Sequence, residues 1–230
     1  MLIGILQTGQ APDDLGEKLG DYPRLFENLL AGQGFEFRTW HVENGVFPDS
    51  VLDADGWLIT GSRHGAYEDH AFIPLLENFI RDAYRDHVPV VGICFGHQIM
   101  AQALGGRVEK FSGGWAAGAQ DYNFSGKTLV LNAWHQDQVV EKPADAVVIA
   151  CNDFCQFAGL AYDNRALSFQ PHPEFQPEFV QGLIDTRGRG RVPDTLIDRA
   201  LSRMDIPIDS PVIAQQISTF FKQHQKLETA

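Results

Sequence analysis

Apolar and polar positions follow two rhythms along this chain. Short apolar runs at 2–6, 35–41, 57–60 and 90–94 read as strands, each separated from the next by a helix-like or loop segment. Strands alternating with helices predict a parallel sheet. In the first interval Leu25, Phe26, Leu29 and Leu30 recur at helical spacing behind Asp21 as N-cap, with Pro23 in the first turn. A second helix is expected from about 73 to 84, and a third over 97–104, closed by Gly105 and Gly106. Beyond it the apolar runs shorten, at 107–111, 119–124, 127–134 and 146–150, and predict a mixed or antiparallel extension of the sheet. Residues 154–170 read as a hairpin turning at Asp163 and Asn164, and helical periodicity returns at 177–185, 194–204 and 211–222.

The chemistry concentrates where strand 90–94 stops abruptly in Gly92-Ile93-Cys94-Phe95-Gly96 and a helix opens with His97 and Gln98. That is the sequence form of a nucleophile elbow: a sharp strand-to-helix turn lifts one side chain above the sheet, and flanking glycines avoid a collision of Cβ with backbone. Cys94 stands at the apex, where the positive end of the following helix favours a thiolate. A second apolar strand ends in Gln170-Pro171-His172-Pro173-Glu174-Phe175, which supplies a base, His172, and a carboxylate, Glu174, two residues on. In an open α/β sheet ligands sit at the carboxyl ends of the parallel strands, and the loops after Thr60, Cys94 and Gln170 all begin there. The peptide N–H of Phe95 and one from the Gly61-Ser62 loop, taken as that of Ser62, are the candidate oxyanion donors.

Length and charge narrow the partners. At 230 residues one α/β domain is expected, and a formal charge of −12 repels nucleic-acid backbones and anionic membrane surfaces. The opening Met1-Leu2-Ile3-Gly4 lacks a basic leader and no later run approaches membrane-spanning length, so a cytoplasmic protein is expected. Of the three cysteines, Cys151 and Cys155 read as core residues with no zinc partner pair nearby. His64 and His70 read as solvated, and the basic cluster at 186–191 as an offset to the negative end of the preceding helix.

The elbow and the His172-Pro173-Glu174 segment resemble the class I, triad-type glutamine amidotransferases, together with Leu58-Ile59-Thr60-Gly61-Ser62 at the oxyanion loop and Trp134-His135-Gln136-Asp137 at the family's His-x-Asp segment. The resemblance covers roughly residues 1–185, leaving 186–230 as a C-terminal helical extension on the same domain. It implies a flavodoxin-like fold, glutamine as substrate, Cys94 as nucleophile, His172 as general base and acid, and Glu174 as orienter. It further implies that Gly61, Gln98 and His135 contact substrate, that residues 115–118 line the pocket, and that neither cofactor nor metal is used. Where the family carries two glycines, or a glycine and a proline, this chain has Gly61-Ser62-Arg63. No ATP-binding loop is present, so a synthetase consuming the ammonia would have to be a separate partner. A second reading keeps the triad and changes the substrate: stand-alone γ-glutamyl peptidases cleave γ-glutamyl compounds other than glutamine, and the extra helices would shape a larger pocket. A third is a non-catalytic small-molecule-binding module, against which the intact triad stands.

Overall fold

Strand β1 (Leu2–Leu6) opens the chain, followed by α1 (Asp13–Leu19), α2 (Tyr22–Leu29), β2 (Glu36–Trp40), β3 (Gly56–Ile59), α3 (Phe72–Arg85), β4 (Val90–Ile93) and α4 (Phe95–Ala103). A run of strands comes next: β5 (Arg107–Lys110), β6 (Ala116–Phe124), β7 (Lys127–His135), β8 (Asp137–Glu141), β9 (Ala146–Ala150), β10 (Gly159–Tyr162) and β11 (Ala166–Phe169). Three helices end it, α5 (Pro177–Leu183), α6 (Asp194–Ser202) and α7 (Ser210–Gln223). These elements come from a computed structural model that describes residues 1–225.

The main sheet has seven strands in the order β2-β1-β3-β4-β11-β10-β9. The first five are parallel, and β10 and β9 add an antiparallel edge. Strands β3, β4 and β11 are buried along their whole length, as continuous apolar runs covered on both faces must be. Alternation divides their side chains between two cores. Trp57 and Ile59 face α3 and α4, packing with Leu76, Ile80 and Met100; Leu58 and Ile93 face α2 and α7, packing with Phe26, Ile217 and Phe221. A third cluster joins α5 and α6 to α2 around Phe175, Phe179, Ile197 and Tyr22.

The expected extension of the sheet is present in β9 and β10, but β5 with β8 and β6 with β7 form separate two-stranded antiparallel ribbons. A Cβ on Gly118 of β6, whose φ is +71°, would stand 2.6 Å from Ala200 Cβ, so α6 packs closely on the face of the β6-β7 ribbon. The hydrophobic pattern had no signal for α1, where Leu15 is the buried residue.

Candidate active site

The elbow forms as its glycines require. Cys94 adopts φ +54° and ψ −101°, a strained conformation for a residue with a side chain, at the junction of β4 and α4. Its N–H donates to Phe169 O at 2.8 Å, and the next turn is pinned where Gly96 N–H donates to Thr60 O at 3.2 Å. A Cβ on Gly92 would meet Gly96 O at 2.5 Å and one on Gly96 would meet Ile59 O at 2.4 Å, so neither position admits a side chain.

Parallel pairing of β11 with β4 sets Phe169 beside Ile93, so the chain leaving β11 comes off beside Cys94. His172 is held there from both directions: its N–H donates to Asn132 O on β7 at 2.8 Å, while Asn132 Nδ2 donates to Phe175 O at 2.9 Å. The Phe175 ring lies flat against the imidazole, with centroids 3.9 Å apart and planes 4° from parallel. Nδ1 of His172 stands 2.7 Å from Glu174 Oε1, and both side chains are buried. A carboxylate accepts, so Nδ1 carries the proton and Nε2 is left for chemistry. Burial alone would lower the pKa of this imidazole, but the Glu174 carboxylate and the neighbouring Cys94 sulfur outweigh it and raise it to about 10.

Gly61 closes the third side. A Cβ there would lie 3.1 Å from His172 Cε1 and 3.8 Å from Cys94 Cβ, so the oxyanion-loop residue expected from the sequence abuts both. Its carbonyl oxygen lies 3.0 Å from Thr60 Oγ1 and 3.1 Å from Thr8 Oγ1, both buried hydroxyls. In a trans peptide N–H and C=O point oppositely, so these hydroxyls turn the Ser62 N–H away from Thr8 and Thr60.

Cys94 opens into a cavity of about 510 Å³ lined by Ser62, Gln98, His135, Trp115, by Tyr22 and Tyr67 from segments no motif marked, and by Arg187 and Arg191 of the basic cluster, read from the sequence only as an offset to the preceding helix. Gln98 Nε2 donates to Asp137 O at 2.9 Å and to Gln170 Oε1 at 3.1 Å, which fixes its amide. His135 Nδ1 lies 3.2 Å from the same Asp137 carbonyl, which can only accept, so Nε2 is the free acceptor; it is buried without a partner among the described residues. Burial, and then the charge of His172, lower the His135 pKa to about 3, so this ring is neutral. The neighbouring Asp137 carboxyl is raised above its ordinary value by burial. His64 and His70, read as solvated, are instead paired: His64 is largely buried with Nε2 2.9 Å from Glu43, and His70 lies 2.8 Å from Glu68. Cys155 is buried and its thiol is pushed up to about 12 by that burial.

Residues 27–181 match the family model described as glutamine amidotransferase class-I. A glutamine amidotransferase-like protein of Schizosaccharomyces pombe is 27% identical over 95% of this chain and 97% of its own length. Gamma-glutamyl peptidase 5 of Arabidopsis thaliana is 31% identical over 72% of each chain. The crystal structure of a glutamine amido transferase from Methylobacillus flagellatus has the same fold, with a TM-score of 0.78 over 99% of this chain and 96% of that one at 22% identity. No helix among the described residues is long and apolar enough to cross a membrane.

Proposed function

The chain belongs to the class I glutamine amidotransferase family, and from that premise we propose that it hydrolyses the amide bond of a γ-glutamyl compound through a Cys94 thioester. The observation that carries this reading is the apposition of a positive-φ cysteine to a buried, carboxylate-held histidine. The Cys94 thiolate attacks the γ-carbonyl carbon, and the oxyanion that forms accepts from the N–H groups of Phe95, at the open start of α4, and Ser62. His172, protonated at Nε2, gives that proton to the departing nitrogen as the C–N bond breaks, leaving a γ-glutamyl thioester and ammonia or a free amine. Water, deprotonated by the now neutral His172, attacks the thioester; the C–S bond breaks and glutamate leaves. Glu174 keeps Nδ1 protonated and stabilises the imidazolium throughout. The neutral His135, with its bare Nε2, suits acceptance of a hydrogen bond from the α-ammonium of the glutamyl group, and Gly61 leaves the room a side chain would take.

A specific observation favours a γ-glutamyl peptide over free glutamine. Arg63, Lys110, Arg187 and Arg191 line the cavity of a protein whose formal charge is −12, against Glu68 and Asp137. A glutamyl group needs one counter-charge for its α-carboxylate; the remaining cations suit the second carboxylate that a γ-glutamyl peptide carries at its C-terminus. The deciding assay follows glutamate release from glutamine, γ-glutamylglycine and γ-glutamylglycinamide by the isolated protein and its Cys94→Ala variant. A charge-assisted bond of about 1.5–3 kcal/mol predicts kcat/KM about 10- to 100-fold higher for γ-glutamylglycine than for its amide. Preference for glutamine, or inactivity until a synthetase partner is supplied, overturns the peptidase reading; full activity in Cys94→Ala overturns the mechanism.

A further inference from the structure

At the rim of the same cavity the structure collects groups that the proposed hydrolysis does not use. His64, Glu68 and His70 offer ligand atoms that all lie within 4.8 Å of one another. Glu68 Oε2 is the hinge of the group, 2.8 Å from His70 Nε2 and 3.6 Å from His64 Nδ1. Two ligands of a tetrahedral Zn2+, each about 2.0–2.2 Å from the ion, stand about 3.3 Å apart, a value these two separations bracket. The imidazole rings face one another obliquely, with centroids 4.1 Å apart and planes 56° from parallel, which directs two nitrogens toward one carboxylate.

The second nitrogen of His64 gives an independent sign. Nε2 lies 2.9 Å from Glu43 Oε1, and the two side chains are only 16% and 17% exposed. A carboxylate on the far nitrogen fixes the ring and its tautomer and leaves the lone pair on Nδ1, the atom facing Glu68. Glu43 also stands 3.7 Å from Arg63, which partly offsets its charge. His70 and Glu68 are 37% and 44% exposed, so an ion has a path from solvent, and the fourth position is left to water.

We propose that His64 Nδ1, Glu68 and His70 Nε2 form a binding site for a divalent transition-metal ion of the Zn2+ type, oriented by Glu43. Imidazole and carboxylate together suit Zn2+ rather than Ca2+ or Mg2+, which prefer all-oxygen shells. The site sits on the loop that follows Ser62, and His64 N–H donates to Ser62 Oγ at 3.2 Å, so a bound ion would pin the segment next to the oxyanion donor.

The test uses untagged full-length Cys94→Ala protein, which removes the competing active-site thiol, and titrates Zn2+ calorimetrically at neutral pH. One ion per chain is expected, with a rise in Tm on binding. His64→Ala and His70→Ala in that background should each lose most of the affinity, and Glu43→Gln about 10- to 100-fold. Co2+ in place of Zn2+ should give the visible absorption of a four-coordinate ion, absent in the His64→Ala/His70→Ala variant. Uptake of Zn2+ unchanged in that folded double variant, or no uptake by the folded parent, overturns the site whatever the γ-glutamyl assays return.

Discussion

Replacing Glu174 by Gln keeps the shape of the side chain and removes its charge, and the consequence can be worked from the buried pair. Glu174 Oε1 stands 2.7 Å from His172 Nδ1, with 1% and 4% of the side chains exposed. At an effective dielectric of about 20, full charges at that separation attract by about 6 kcal/mol, an upper bound because the carboxamide oxygen still accepts from Nδ1. Burial opposes the charge and Glu174 supports it, and the balance raises the imidazole from 6.5 to about 10. Without the carboxylate the pKa should fall by about 1–3 units. The sign is fixed: the imidazolium that protonates the leaving amine is lost as pH rises through its pKa, so the alkaline limb of kcat/KM moves to lower pH. For a fall of about 2 units, roughly 90% of the wild-type imidazole is protonated at pH 9 against about 10% in the variant, an extra loss of about 10-fold on top of one that is uniform in pH. Steady-state hydrolysis of γ-glutamylglycine from pH 6 to 10 gives both numbers. An alkaline limb that stays in place, with unchanged kcat/KM, would refute the orienting role of Glu174.

A glutamine-like electrophile should add its mass at Cys94 and leave Cys155 untouched, because burial pushes the Cys155 thiol up to about 12; peptide mass spectrometry reads the site, and labelling of Cys155 at a comparable rate contradicts it. Thr60→Val strips the hydroxyl that donates to Gly61 O and accepts from Thr8 N–H, so kcat should fall about 10-fold with little change in KM, at a cost of about 1–3 kcal/mol in stability. Equal loss in kcat and gain in KM would argue for a merely structural hydroxyl. His97 and His135 are buried with pKa values near 3, set first by burial. The unfolded chain takes up these protons near 6.5, so stability is intact above that pH and lost as pH falls from 6.5 toward 3, by about 4 kcal/mol for the pair at pH 5. Urea midpoints at pH 5 and 7 measure this, and His97→Asn should remove about half of the slope.

Cys94, His172 and Glu174 could be read from the chain because each is fixed by local backbone chemistry: two glycines that tolerate no Cβ, and a proline-bracketed histidine at a strand end. Thr8 could not, since it lies in no motif of its own and its partner Gly61 is fifty-three residues away. Arg187 and Arg191 reach the pocket through the turn after α5, whose course depends on Gly188 fitting under Trp134 rather than on any hydrophobic period. His64 and His70 were legible as polar loop residues, but the ring of His64 is directed by Glu43, from a different segment, while His70 pairs with Glu68 of its own loop. Strands β5 to β8 read as strands from their alternation; which sheet they join rests on pairings such as β5 with β8, about thirty residues apart, for which the pattern carries no signal.

Strand β7 links these parts, and it supplies a test of whether residues 186–230 fold with the rest. Val130 N–H donates to Asp209 Oδ2 at 2.8 Å and Asp209 N–H returns a bond to Val130 O at 2.8 Å, joining the start of α7 to the strand. Two residues on, Asn132 clamps the His172 loop; beyond it Trp134 covers Gly188, and His135 lines the cavity. The tail, the His172 loop and the cavity therefore share one strut. Asp209→Ala removes one bond of the reciprocal pair and leaves Val130 N–H without its acceptor, an expected cost of about 1–3 kcal/mol. If the tail is part of the same cooperative unit, urea unfolding followed by tryptophan fluorescence, sensitive to Trp115 and Trp134, and by far-ultraviolet circular dichroism should give one coincident transition, shifted as a whole in the variant. The same variant should lower kcat several-fold, because the strut that holds His172 is loosened. Two separated transitions in the parent protein, or a tail that melts in Asp209→Ala while γ-glutamyl hydrolysis continues at its full rate, would show that the extension is an independent appendage and that β7 does not couple it to the triad.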